Sequence, residues 1–439
     1  MNQVVVVPYP GRSHINSLLN FCHSLSSRLN QPNRTTIFTV VVTEEWLGFL
    51  DPDQKQATIR FATIPNVLPL EVNRGTDIIT FLTAVTTKME RPFEEVLDKM
   101  ELPVALVIAD STMFWPFEVA NRRNIPVAAY WPLSASMFSV LHHADLLKSH
   151  HHLYLDESER GHEHIDYIPG VPSLTIADFP MFFHAKFGQL FKGFVPNLLE
   201  VTNKANYVLL STIYDLESKA IDALRSKIQA PIYTCGLNIP SSKPKLDSNN
   251  PINWLDSKPL RSVLYISFGS YLSVSSDEMD EIAAGLTQSG VNFLWVARGE
   301  TSRLKEICGE KGMVVDWCDQ FRVLLHSSIG GFWTHGGWNS VKESMFSGVP
   351  MLTFPISFDQ PLNSKMIVQD WKIGWKIKKE MEGIKRDEIE EVVRKFMDSE
   401  SVERLGMMER VKNVQEICQQ SLVEGGTTEE DLTAFVKDV

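Results

Sequence analysis

Cysteine is scarce in this 439-residue chain. Its five cysteines, Cys22, Cys235, Cys308, Cys318 and Cys418, stand singly, and no CxxC occurs. That spacing offers neither a zinc site nor a disulfide framework, so a reduced, cytoplasmic compartment is expected. Basic charge is short too. The formal net charge of −12 gives no sign of a nucleic-acid surface. It does not exclude an anionic small ligand, because a local site can oppose the global sign. No apolar run approaches the length of a membrane span. The opening "MNQVVVVPYPG" has no basic leader and only a short apolar run, so it reads as a buried strand and not as a signal peptide. Two nucleotide signatures are also missing. No GxGxxG follows the first strand, and no GxxxxGKS/T occurs anywhere. A nicotinamide dinucleotide fingerprint and a Walker-type site are therefore unsupported.

What is present is an α/β pattern, repeated. The chain is 44% hydrophobic and 22% charged, as in soluble globular proteins, and its length suits two domains. Short apolar runs such as "VVVVPYP", "TTIFTVVVT", "VALVIAD" and "IPVAAYWP" alternate with helical patterns. The stretch from Gly236 to Asn253 turns to Pro, Ser, Asn and Lys. Then the alternation restarts with "SVLYISFGS", "NFLWVAR", "GGFWTH" and "PMLTFPI". The expected architecture is two doubly wound, Rossmann-like domains facing across a cleft. Residues 1–237 form the first, 238–253 the linker and 254–439 the second. In such sheets ligands bind outside the carboxyl ends of the strands.

One turn in the second half stands out. In "IGGFWTHGGWNSVKESMFSGVP" an apolar strand runs into Gly336 and Gly337, and a helix opens at Asn339 and Ser340. Free N–H groups and the dipole at a helix start attract phosphate, and His335 adds a donor there. Ordinary capping beside a packed histidine accounts for the segment equally well.

The surrounding residues sharpen this. From Trp317 to Gln360, "WCDQFRVLLHSSIGGFWTHGGWNSVKESMFSGVPMLTFPISFDQ" resembles the signature box of plant family-1 UDP-glycosyltransferases at full length and without a gap. The resemblance extends to "PYPGRSHIN" and "YISFGS". It implies a GT-B fold whose last helix packs back on the first domain. It also implies roles. Trp317 would stack on uracil and the Cys318 backbone would read its edge. Gln320 and Glu343 would hold the ribose, a carboxylate being able to accept from two vicinal hydroxyls. Ser270, His335, Asn339 and Ser340 would hold the diphosphate, and Trp338, Asp359 and Gln360 would contact the sugar. A closing Gln points to glucose. UDP-glucose is then a co-substrate, with no cofactor or metal, and the chain is expected to be a monomer. Where the family commonly has Cys, this chain has Gly336, which is expected to loosen the turn.

In the first half, His14 lies just past the first strand and Asp110 ends "VALVIAD". Singly each has a structural reading. On one rim they fit a base and its orienter. The resemblance makes them the catalytic dyad: His14 takes the acceptor proton, Asp110 fixes the tautomer, and attack on UDP-glucose inverts the anomeric carbon. The family often has Gln-Gly before this histidine, and here Arg12-Ser13 stands. That places an arginine where it would help a diphosphate, and a side chain where backbone would approach closely. The one DxD, at Asp51–Asp53, reads as a solvated turn.

Seven of the twelve histidines fall between His142 and His164. Their polar, acidic flanks suggest a mobile surface loop more than a zinc site. Phe114, Trp115, Trp131, Phe179 and Phe182 are expected to line an apolar pocket for a small hydroxylated acceptor, with core packing the alternative for each. Three other readings remain. A non-catalytic UDP-sugar binder is opposed by the presence of both His14 and Asp110. A nucleotide-dependent oxidoreductase is opposed by the missing GxGxxG. The third keeps the chemistry and changes the donor sugar.

Overall fold

A run of β-branched residues opens the first of two parallel sheets. The computed structural model describes residues 2–30, 35–50, 58–71, 74, 77–188, 193–238, 251–269, 275–377 and 383–439. Most of the expected linker, Ser270 and the Asp51–Asp53 turn lie outside them. The strands are β1 (Asn2–Val7), β2 (Thr36–Thr43), β3 (Ile59–Ile64), β4 (Val104–Asp110), β5 (Val127–Trp131), β6 (His164–Ile165), β7 (Leu174–Thr175), β8 (Tyr207–Leu210) and β9 (Ile232–Thr234). After residue 250 come β10 (Val263–Ser267), β11 (Asn292–Val296), β12 (Gly312–Val315), β13 (Ile329–Thr334), β14 (Met351–Thr353) and β15 (Gly374–Lys376). The sheet orders are β3-β2-β1-β4-β5-β8-β9 and β12-β11-β10-β13-β14-β15, with β6 and β7 a small antiparallel ribbon. All neighbours in the two large sheets pair in parallel.

Parallel sheets are covered on both faces, which explains why Val5, Val6, Val107 and Ile108 are completely buried. The order also fixes where chemistry can occur. In each sheet the winding reverses at one place, between β1 and β4 in the first and between β10 and β13 in the second. Connections on either side of such a switch point diverge and leave a crevice at the strands' carboxyl ends. His14 follows β1 and Asp110 ends β4; Gly269 follows β10 and His335 follows β13. Both switch points thus carry residues singled out above.

Two helices present these groups. Arg12–Leu29 starts at Gly11 behind Pro10 and buries Ile15, Leu18, Leu19, Cys22, Leu25 and Leu29 at helical spacing. Its exposed first turn carries His14. Trp338–Ser347 starts at Gly337 and stops at Gly348, whose φ of 67° is the left-handed conformation of a helix terminus. The last helix, Thr427–Asp438, lies against the first sheet. Phe435 packs on Tyr207 and Tyr233, and Asp431 Oδ2 accepts from Thr234 N at 2.8 Å and Thr234 Oγ1 at 2.7 Å. Among the described residues no helix is long and apolar enough to cross a membrane.

Candidate active site

The first switch point assembles a histidine on a buried carboxylate. His14 Nδ1 lies 2.7 Å from Asp110 Oδ2, with the His14 side chain 22% exposed and that of Asp110 fully buried. The second oxygen of Asp110 accepts from Thr112 N at 3.0 Å and Thr112 Oγ1 at 2.6 Å. With both oxygens engaged, the carboxylate cannot rotate. It also needs a proton on His14 Nδ1, which leaves Nε2 as the lone-pair nitrogen. Tyr9 tilts its ring against the imidazole at 5.0 Å and fixes its plane from the other side. Sequence reasoning missed Thr112 and Tyr9. The Asp-x-Thr spacing was the available signal for Thr112, since Asp habitually turns back on the N–H two residues on.

The second switch point holds the box residues. Burial keeps the His335 imidazole down at about 4, so the ring is neutral, and the Ser267 carbonyl works weakly the other way. Its Nδ1 is buried without a hydrogen-bond partner. The ring sits between two glycines: a Cβ on Gly337 would meet Nε2 at 2.6 Å, and one on Gly269 would meet it at 3.0 Å. Beside it, Gln320 Nε2 donates to Ser340 Oγ at 3.1 Å and to Glu343 Oε2 at 2.8 Å. Burial pushes the Glu343 carboxyl up to about 7, opposed by Gln320 and Lys342. Trp317 is 60% exposed, an indole face open to stacking. Its neighbour Cys318 is buried against Tyr265, with the thiol pushed up to about 12. Only the backbone of Cys318 is therefore available for recognition.

The last three box residues are more committed to the protein than the sequence implies. Trp338 uses its indole N–H on Ser211 O in the first half, at 2.7 Å. Gln360 Oε1 accepts from the N–H groups of Ile356 and Ser357 at 2.7 and 2.9 Å, so its amide NH2 alone is left for a sugar. Asp359 accepts from Asn363 Nδ2 at 2.7 Å. Burial raises it to about 6, against the pull of Asn363, of His14 in the opposite half and of the Trp338 N–H. The turn after β1 and the box meet directly at Asn339, whose Nδ2 donates to Ser13 O at 3.1 Å.

Several expectations need correction. Gly336 does not loosen the turn. Its φ of 84° suits glycine, its N–H donates to Thr334 Oγ1 at 3.2 Å, and its carbonyl accepts from Asn363 Nδ2 at 2.9 Å. Arg12 turns away from a phosphate role: its guanidinium lies over Trp46 and Phe49 and 4.0 Å from Glu71. Ser13 contributes its carbonyl, which accepts from Asn339 Nδ2 across the cleft at 3.1 Å. Trp115 and Trp131 are core. Their indole N–H groups bond Val85 O and Ser134 O, and Trp131 stacks on Phe138. Phe179 and Phe182 are buried with Phe183. Phe114 is half-buried, and Met181 meets Ser357 of the second half. The histidine-rich stretch is a surface loop only in part: His150, His151, His152 and His162 lie outside helices and strands, but the stretch opens on two helices. Ala135–His142 and Ala144–Ser149 are helices, His143 is buried on Ser139, and His150 and His152 stack with Tyr167. Among the described residues no three His, Cys, Asp or Glu converge on a common point.

Known proteins share this layout. Residues 181–415 match the family described as "UDP-glucoronosyl and UDP-glucosyl transferase". UDP-glycosyltransferase 87A1 of Arabidopsis thaliana is 46% identical over 442 residues, covering 99% of each chain. Among solved structures, Os79 from O. sativa in complex with UDP superimposes with a TM-score of 0.86 at 23% identity, covering 99% of this chain and 100% of that one. UDP-glucose: anthocyanidin 3-O-glucosyltransferase in complex with UDP gives 0.84 at 26% identity, covering 99% and 98%. With the GT-B arrangement of two parallel sheets, the chain belongs to the UDP-glycosyltransferase family.

Proposed function

We propose that this enzyme is an inverting, metal-independent O-glucosyltransferase. It moves glucose from UDP-glucose to a hydroxyl of a small lipophilic acceptor of the phenolic, flavonoid or terpenoid class. The observation that carries the reading is the His14–Asp110 contact of 2.7 Å at one switch point, with Asn339 of the other half bonded to Ser13 O beside it at 3.1 Å. His14 Nε2 takes the acceptor proton. Asp110 holds the tautomer and stabilises the imidazolium as it forms. The acceptor oxygen attacks the anomeric carbon opposite UDP and gives a β-glucoside. Charge developing on the leaving diphosphate is met by the neutral His335 donor and the N–H groups that open the Trp338–Ser347 helix. Glucose is favoured by the acids and amides at the end of the box, where the Gln360 NH2 and Asp359 carboxylate offer one donor and one acceptor to vicinal hydroxyls. Five buried, unpaired cysteines support a reducing compartment such as the cytoplasm.

The test is UDP release from UDP-glucose with a panel of phenolics, flavonols and terpenoid alcohols, with the product linkage read by NMR. His14→Ala is expected to abolish turnover and leave UDP binding nearly intact. Full activity in that variant removes His14 as the base. An α-linked product, or turnover that stops on chelation, overturns the mechanism.

A further inference from the structure

Lys342 sits inside the signature box, yet none of the roles above uses it. It stands one turn after Trp338 on the Trp338–Ser347 helix and is 1% exposed. Both side chains reach one residue of the first half. Trp338 Nε1 donates to Ser211 O at 2.7 Å, and Lys342 Nζ donates to Ser211 Oγ. Among the described residues Lys342 donates to no carboxylate. Burial holds the ammonium down at about 8. The charge of Glu343, next along the helix, offsets only part of that burial, and sequestering an ammonium with no hydrogen-bonded counter-charge costs stability, so the position calls for something gained in exchange.

The polar path continues beyond Ser211. Asn238 Nδ2 lies 3.4 Å from Ser211 Oγ and donates to Tyr130 OH at 2.8 Å. The fully buried Tyr130 OH lies 2.6 Å from Ser17 Oγ. Ser17 is one turn beyond His14 on the Arg12–Leu29 helix. Asn20 of that helix also donates to Asn238 O, at 2.9 Å. A continuous chain of polar groups therefore joins the helix beside the diphosphate site to the helix that carries the base.

We propose that Lys342 is a positioning residue for glycosyl transfer, holding Ser211 so that the His14 helix and the Trp338–Ser347 helix close in one register. This rests on the transfer reading above. Lys342 acts through Ser211, Asn238, Tyr130 and Ser17, not on the reacting atoms. The expected effect is on rate, because transfer depends steeply on near-attack geometry, with a misplacement of about 1 Å costing up to ~100-fold.

Lys342→Met keeps most of the length and removes the charge. It is expected to hold or raise the melting temperature, to leave the KM for UDP-glucose and the Kd for UDP little changed, and to lower kcat about tenfold or more. Ser211→Ala and Ser17→Ala break the chain elsewhere and are expected to lower kcat in the same sense. The Lys342→Met/Ser211→Ala double variant is expected to be no slower than the slower single one. Additive losses, an unchanged kcat, or a UDP affinity that falls in step with the rate overturns the proposal. A second readout needs no acceptor. With UDP bound, amide exchange is expected to quicken in residues 12–29 of Lys342→Met and to stay slow in residues 338–347. Equal protection of residues 12–29 in wild type and variant overturns the proposal. A wild type inert towards every acceptor refutes the transfer reading and leaves this readout standing.

Discussion

Replacing Asp110 by Asn removes one charge and changes almost nothing in shape, so its effect can be worked from the contacts. Asn offers one acceptor oxygen where Asp110 offers two. If that oxygen faces His14, the amide NH2 confronts the Thr112 N–H and leaves a buried donor unpaired, at about 1–3 kcal/mol. If it faces Thr112, the NH2 confronts His14 Nδ1, which must then accept, and the proton moves to Nε2. Thr112 N is fixed by the backbone, so the second arrangement wins by about the same 1–3 kcal/mol. That depletes the base tautomer roughly 5- to 150-fold. Losing the carboxylate charge beside the forming imidazolium removes a charge-assisted bond worth about 1.5–3 kcal/mol, roughly another tenfold or more. Together kcat is expected to fall by about 10² to 10⁴. UDP binding should be untouched, because the donor residues lie in the other half. The assay is UDP release at saturating UDP-glucose, with calorimetric UDP titration alongside. A kcat within about threefold of wild type would show that the tautomer is not set by Asp110.

Three further expectations concern the second half. Burial raises Glu343 from 4.5 to about 7, so its contribution to stability is fully present below 4.5 and lost as pH rises through 7. Glu343→Gln is therefore expected to flatten the fall of Tm between about pH 5 and 8, and equal slopes refute that linkage. Gln360→Ala strips the acceptor from two backbone N–H groups, and a loss of about 1–3 kcal/mol in urea unfolding is expected; an unchanged midpoint means the loop has another partner. Gly337→Ala drives a Cβ to 2.6 Å from His335 Nε2. UDP affinity should drop about tenfold by calorimetry, and an unaltered Kd would remove His335 from the diphosphate site.

The sheets were legible because buried parallel strands read as continuous apolar runs. The "VALVIAD" stretch is β4, ending at Asp110 as written. That two strand-end residues would meet could be inferred from the winding, but the 2.7 Å contact and the Thr112 anchor could not. On the acceptor side the sequence left pocket and core open for a physical reason. Strands covered on both faces carry aromatics on both, so sequence cannot say whether Trp131 faces a cavity or, as here, stacks on Phe138 in the core. Lys342 gave no signal of its own. A lysine on a helix reads as a solvated charge, and only the packing of Trp338 and Ser211 around it shows that it is enclosed.

The Thr427–Asp438 helix has a consequence for how the halves are joined. After the second sheet the chain comes back to the first in that helix, clasped by Asp431 on Thr234 and Phe435 on Tyr207 and Tyr233. The last helix is therefore a strap on the sheet where the chain began, and separating the halves must break its contacts as well as the direct bonds of Trp338 to Ser211 and Asn339 to Ser13.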